Sequence, residues 1–311
     1  MAPFLPSNGR STQPNNLTFC FIVAIFCNMA RLELQRPLAF VLGGGGARGA
    51  FQVGALRALF EVGIKPDILV GTSIGGLNAT YLALHGLDDA GILALEAQWK
   101  TPGISRLFPT YSPYILMRVI FNRLGMHSGK QVRAYYEAHG ITPDLYFSDI
   151  KGVKLYLVAS DLNNGTVASF GEPEDSVLEG IMATTALPPW VHPLQTDGKF
   201  LVDGGAMSNL PIEVAYRKGA REIIALDLSD MRNIAVDAHG FSPFYTRFMT
   251  SIDKRLRDLE TALVQAHGVP VHTIELRGEE PLSMLDFNHA VPAITQGYSI
   301  TKHALEHGLV R

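Results

Sequence analysis

Cysteine is nearly absent: the only two thiols among the 311 residues, Cys20 and Cys27, fall within the first thirty positions. A disulfide framework and a cysteine-ligated metal site are therefore excluded for the rest of the chain. Charge is scarce as well, at 18% against the roughly 25% of an average soluble chain. With 47% hydrophobic residues, the chain is no disordered tail. Its net charge of −3 gives no bulk attraction for polyanions, so nucleic acid is not expected as a partner. The stretch Leu17–Cys27 is uncharged and apolar, yet it is about half the roughly 20 residues that a spanning helix needs.

That stretch follows Arg10 and has the length of a leader's apolar region, but no A-x-A pattern follows it before Arg31. Residues 1–36 are read as an N-terminal extension, either disordered, targeting or membrane-contacting, or untranslated upstream of a start at Met29. Residues 37–311 are expected to form one domain. The expected location is the cytoplasm, peripheral at a membrane, with secretion through the apolar segment left open.

From Pro37 onward the pattern is orderly. Leu38 to Leu42 is a buried strand that enters Gly43-Gly44-Gly45-Gly46, and Phe51, Ala55, Ala58 and Leu59 follow at helical spacing until Gly63. A second unit repeats the design, with Ile68-Leu69-Val70, then Gly71-Thr72-Ser73-Ile74-Gly75, then a helix through Leu84. Later strands are expected at Val153–Ala159, Phe200–Val202, Ile223–Leu228 and Val271–Leu276, with helices at Val177–Ala183 and Ile212–Lys218. This alternation predicts an α/β fold, a mostly parallel central sheet flanked by helices on both faces. Tyr245, Phe248, Met249, Ile252, Leu256, Leu259 and Leu263 predict a long amphipathic helix with this face packed on the core.

Two glycine-rich turns carry the chemistry. Gly44-x-Gly46-x-x-Gly49 matches a dinucleotide fingerprint between strand and helix. The acidic residue expected at the end of the second strand is missing, since Asp67 precedes that strand and Gly71-Thr72-Ser73 follows it. What stands there instead is G-x-S-x-G, whose small residues allow a sharp strand-to-helix turn that presents Ser73 at a helix N-terminus. The backbone amides of Gly44, Gly45 and Gly46 form an anion cradle, for a phosphate or for the oxyanion of a tetrahedral intermediate. No Lys-Ser/Thr pair follows Gly49, so the cradle is not a Walker A loop.

A serine nucleophile needs a base. Ten histidines leave a Ser-His-Asp triad open, with His267, His272 or His289 in the appropriate order. The segment Asp203-Gly204-Gly205 offers an acid instead, just after a strand and before a tight turn.

Taken together, Gly44-Gly45-Gly46-Ala47-Arg48-Gly49, the elbow Gly71–Gly75 and Asp203-Gly204-Gly205 resemble the patatin-like phospholipase family. The block Ala183-Thr184-Thr185-Ala186-Leu187-Pro188 is similar to the family's A-S-x-x-x-P, with Thr184 where serine is usual, so a hydroxyl is retained. The resemblance spans residues 37–311 and implies a three-layer α/β sandwich. It also implies hydrolysis of lipid acyl esters by a Ser73–Asp203 dyad, with Gly44, Gly45 and Gly46 as oxyanion hole. Arg48, Gly49, Gly71, Gly75, Gly204 and Gly205 would take supporting roles, and neither metal nor cofactor would be needed.

One window adds a possible surface. Residues 97–136 hold no Asp or Glu and six basic residues, Lys100, Arg106, Arg118, Arg123, Lys130 and Arg133, interleaved with aromatics. They are read as an irregular cap on the core or as a face toward anionic bilayers. No protein partner is inferable.

Overall fold

The computed structural model describes residues 34–101, 129–233 and 241–309. Leu17–Cys27, and Arg106, Arg118 and Arg123 of the basic window, lie outside them. The apolar run Leu38–Leu42 forms strand β1, buried along its whole length. It feeds helix α1 (Gly49–Glu61), after which β2 (Ile68–Thr72) and α2 (Ile74–His85) repeat the unit. Helices α3 (Asp89–Lys100) and α4 (Gly129–Ala138) follow. Then come β3 (Lys154–Asp161), β4 (Thr166–Phe170), α5 (Val177–Thr184), β5 (Leu194–Thr196) and β6 (Lys199–Asp203). The described chain closes with α6 (Ile212–Arg217), β7 (Glu222–Asp227), α7 (Phe241–Ala266), β8 (Val271–Glu275) and α8 (Ala290–Glu306).

Hydrogen-bonded strands run β5-β6-β3-β2-β1-β7-β8, with β4 paired to β3 off that path. The β3-β2-β1-β7-β8 portion is parallel, as the alternation of strand and helix predicts, and β4, β5 and β6 join antiparallel. Successive side chains of a strand point to opposite faces. Ala39, Val41, Ile68, Val70, Ile223 and Ala225 pack with Ile212, Ala215 and Val264 from α6 and α7. Phe40, on the other face, stacks on Phe60 of α1, ring centroids 6.5 Å apart. Both faces are thus covered, which is why the parallel strands read as unbroken apolar runs. The described residues from Leu34 onward belong to one compact unit.

The register of β3 positions the site. Val158 pairs with Thr72 of β2, and the next residue, Ala159, pairs with Asp203 of β6. β4 pairs with β3 across both stretches, so β2 and β6 meet end to end along its other edge. The last residue of β6 therefore lies just beyond the last residue of β2, where Ser73 begins its turn.

One expectation is overturned. Phe248, Met249, Ile252, Leu259 and Leu263 of α7 are exposed rather than packed on the core. The helix instead turns polar groups inward: Arg257 pairs with buried Asp227, Asp253 accepts from Ser229 Oγ at 2.9 Å, and Glu260 accepts from Ser208 Oγ at 2.6 Å.

Candidate active site

The elbow is built by backbone constraint. Ser73 has φ 55° and ψ −125°, a conformation that costs a non-glycine residue about 1–3 kcal/mol and persists only where the surroundings enforce it. They do: a Cβ on Gly75 would lie 2.2 Å from the Leu42 carbonyl oxygen, and one on Gly71 2.6 Å from the Gly76 backbone. Only glycine fits either place. The Ser73 N–H donates to Thr184 Oγ1 at 2.9 Å, and that hydroxyl donates to the Val158 carbonyl at 2.5 Å. The threonine that stands where the family has serine is therefore a strut holding the Ser73 amide.

Asp203 reaches the same spot from β6. Its carboxylate accepts the N–H of Gly205 at 2.9 Å, and the Ser73 side chain lies beside it, close enough to lower its pKa. Its backbone N–H donates to the Ala186 carbonyl at 3.0 Å. The turn after it is tied down by Ser160 Oγ donating to the Gly204 carbonyl at 3.2 Å and Thr72 Oγ1 to that of Ser208 at 3.0 Å. Burial pushes the Asp203 carboxyl up to about 6, against the pull of the bonds from Ser73 and Gly205.

The glycine loop corrects one expectation. The Gly44 N–H donates to the Asn209 carbonyl at 3.1 Å, so it is spent and does not face an incoming oxyanion. The amides of Gly45 and Gly46 have no hydrogen-bond partner among the described residues. Gly46 opens a short 3-10 turn, Gly46–Arg48, with φ 57°, and Gly49 begins α1. A Cβ on Gly46 would meet the Met284 carbonyl oxygen at 2.2 Å, and that same carbonyl accepts the Ala47 N–H at 2.7 Å. Arg48 donates from Nε to the Gly45 carbonyl at 3.3 Å. Burial lowers its guanidinium pKa, and the charges of Asp230, Asp227 and Asp253 oppose that shift.

Ser73, Asp203, Gly44, Gly45, Gly46, Arg48 and Gly205 line one cavity of about 460 Å³. Leu77, Leu187, Pro188, Val202, Met249 and Phe287 give it apolar walls, and Asp230 and Asp253 an acidic edge. No histidine is among its described lining residues. His272 is buried at the amino ends of the strands, its Nε2 2.6 Å from Glu222 Oε1, whereas Ser73 follows the carboxyl end of β2. His289 is exposed and pairs with Asp286 at 2.8 Å, and His267 is exposed beside Tyr216. Thr184, Asn209, Met284, Asp230 and Asp253 join this neighbourhood through tertiary contact. Of these only Thr184 stood in a readable motif.

The profile of the patatin-like phospholipase family matches residues 40–216. Patatin-like phospholipase domain-containing protein 7 of Mus musculus is 31% identical over 218 residues, 69% of this chain and 15% of that protein. Lysophospholipase NTE1 of Cryptococcus neoformans is 29% identical over 74% of this chain and 14% of its own length. The chain thus spans about a seventh of these curated relatives. Among solved structures, VipD from Legionella pneumophila is similar at a TM-score of 0.45 and 14% identity, covering 87% of this chain and 66% of that one.

Proposed function

The chain belongs to the patatin-like phospholipase family, and on that premise we propose that it is a serine acyl hydrolase of phospholipids or related lipid esters. One observation carries the reading: a serine held at φ 55° on a strand-to-helix elbow, in one cavity with a carboxylate that burial raises to about 6. A base whose pKa lies just below neutrality is ionised at pH 7 and still accepts a proton readily.

Asp203 takes the Ser73 proton as Oγ attacks the acyl carbon, and the amides of Gly45 and Gly46 hold the oxygen that becomes negative. The ester C–O bond then breaks, and the proton held by Asp203 passes to the departing alcohol, leaving an acyl-serine. A water that gives its proton to Asp203 attacks this ester, the fatty acid leaves, and Ser73 Oγ is reprotonated. Thr184 and Arg48 position the elbow and the glycine loop and touch no reacting atom. The names of relatives, a lysophospholipase among them, support a lipid ester as substrate.

No helix of the described residues is long and apolar enough to cross a membrane. Peripheral contact with an anionic bilayer through residues 97–136 stays part of the proposal. Of its six basic residues, Lys100 and Arg133 lie beside Glu96 and Glu137, at 3.5 Å and 3.9 Å.

The test is product analysis by mass after incubation with phospholipids, lysophospholipids and triacylglycerols. Wild type should release free fatty acid, with kcat/KM falling below pH 6 as Asp203 protonates. Near-normal turnover by Asp203→Asn, with loss on replacing His267 or His289, would replace the dyad by a triad.

A further inference from the structure

Helix α2 does more than present Ser73. Ile74, Leu77, Tyr81 and Leu84 recur at three- and four-residue spacing, so they form one face that runs away from the nucleophile. A second cavity, of about 550 Å³, lies along that face. This is within the roughly 300–1,000 Å³ of small-molecule sites. Ile74, Leu77 and Phe287 line both this cavity and the one that holds Ser73, so the two adjoin at the first turn of α2.

Several of its polar wall groups are turned to protein partners. Asn78 Nδ2 donates to the Gly49 carbonyl and to Gln52 Oε1, each at 3.0 Å. Asn78 Oδ1 accepts from Trp99 Nε1 at 2.9 Å, and Thr80 Oγ1 donates to the Gly76 carbonyl at 2.8 Å. Tyr136 Oη pairs with Thr185 Oγ1 at 2.8 Å. The rest of the wall is mainly aliphatic and aromatic, from Ile74, Leu77, Leu84, Leu95, Trp99 and Val291, with Gln98, Lys100 and Asn288 as polar members, a balance that suits a largely apolar occupant. From Ser73 to Leu84 the helix rises on the order of 16 Å at 1.5 Å per residue, the reach of an extended fatty-acyl chain.

We propose that this second cavity is the acyl-chain site. The ester carbonyl stays at Ser73, the chain passes between Leu77 and Phe287, and the methyl end lies toward Leu84. The proposal rests on the hydrolase reading above and specifies its substrate: a straight chain long enough to fill the α2 face. Each methylene that enters should raise kcat/KM by up to about fourfold, from the transfer free energy of a CH₂ group.

Measuring kcat/KM on nitrophenyl butyrate, octanoate and dodecanoate tests this. Wild type should improve along the series, and Leu84→Trp, which fills the far end, should lower the dodecanoate-to-octanoate ratio at least tenfold. Because both esters are read in one protein, a loss of folded material cancels. Should Leu84→Trp fail to fold, Val291→Trp on the exposed part of the same wall gives the same reading. A ratio unaltered by these variants overturns the acyl site while leaving the hydrolase standing. Binding of a dansyl-labelled undecanoic acid to Ser73→Ala separates the two ideas, since it needs no turnover. Binding weakened tenfold by Leu84→Trp, together with a wild type that hydrolyses no ester, would keep the cavity and sink the hydrolase. Binding indifferent to Leu84→Trp would overturn the acyl site.

Discussion

Helices α2 and α7 both line the cavity that holds Ser73, yet the balance of what they bury differs. α2 packs Ile74, Ala79 and Leu82 inward and holds the strained serine at its first turn. α7 leaves Phe244, Phe248, Ile252, Leu259 and Leu263 exposed and sends Asp253, Arg257 and Glu260 inward. The cause lies under each helix. α2 covers the apolar centre of the sheet. α7 crosses the end of β7 and the turn after β6, where Asp227 and Ser229 of the first and Ser208 of the second need partners once water is excluded. Burial raises the carboxyls of Asp253 and Glu260, and both accept hydroxyl hydrogen bonds that pull them back. α2 is held mainly by apolar area, and α7, apart from Val264 in the core, mainly by satisfied polar groups.

If that contrast is right, damage near α2 should strike turnover and damage inside α7 should strike stability. The largest effect is expected from Ser73→Ala and Asp203→Asn, each lowering kcat on the order of 10⁴-fold or more, with the double variant no worse than either, since the two act as one unit. Ester turnover measured with thermal unfolding on the same samples checks this. Additive losses, or a drop in stability that explains the lost activity, would dissolve the unit.

Arg257→Met comes next. It leaves Asp227, which is 1% exposed, without its cation, and breaking a buried pair from one side costs about 3–5 kcal/mol. Urea unfolding should show that loss. A change under 1 kcal/mol would mean that water or another group replaces the guanidinium, and that α7 is not held by its polar face.

The pH dependence of Asp203 sharpens the α2 side. Its carboxyl rises from 3.8 to about 6 on folding, so the folded protein holds the proton more tightly than the unfolded chain. Wild-type stability therefore contains a contribution that is intact below pH 4, is lost as pH rises toward 6, and is absent above that. The loss is on the order of 3 kcal/mol. Asp203→Asn has no such loss, so its stability relative to wild type should climb by up to that amount between pH 4 and pH 7. Urea midpoints across this range provide the check, and a constant gap would show that the carboxyl is not buried as an ionised group.

How much of this could be read in advance follows the same division. β1, β2 and β7 were legible because strands covered on both faces are continuous apolar runs. The elbow and the turn after Asp203 were legible because sharp backbone demands glycine at fixed offsets. α8 was not, since Gly297 and its β-branched Ile and Thr residues weaken a helical signal that packing on α1 restores. β5, at three residues, is too short to show a period. Asn209 and Met284 contribute backbone carbonyls, which no side-chain pattern announces. The inward face of α7 was misread because period 3.6 reveals that a helix has two faces and says nothing of which one meets a polar floor.

The smallest expected effect tests that last point. Leu259 lies on the outer face of α7 and is 48% exposed, whereas Leu82 of α2 is wholly buried. Leu82→Ala removes buried methyl groups and leaves a cavity, at a cost of about 2–5 kcal/mol. Leu259→Gln keeps a good helix former at its site and replaces an apolar group that folding leaves half in water. Its effect on urea unfolding should stay within about 0.5 kcal/mol of zero. Both positions carry leucine at a helical period, so the sequence pattern alone would treat them alike. If Leu259→Gln costs as much as Leu82→Ala, the exposed stripe of α7 is packed against something in solution, and the contrast between the two helices fails.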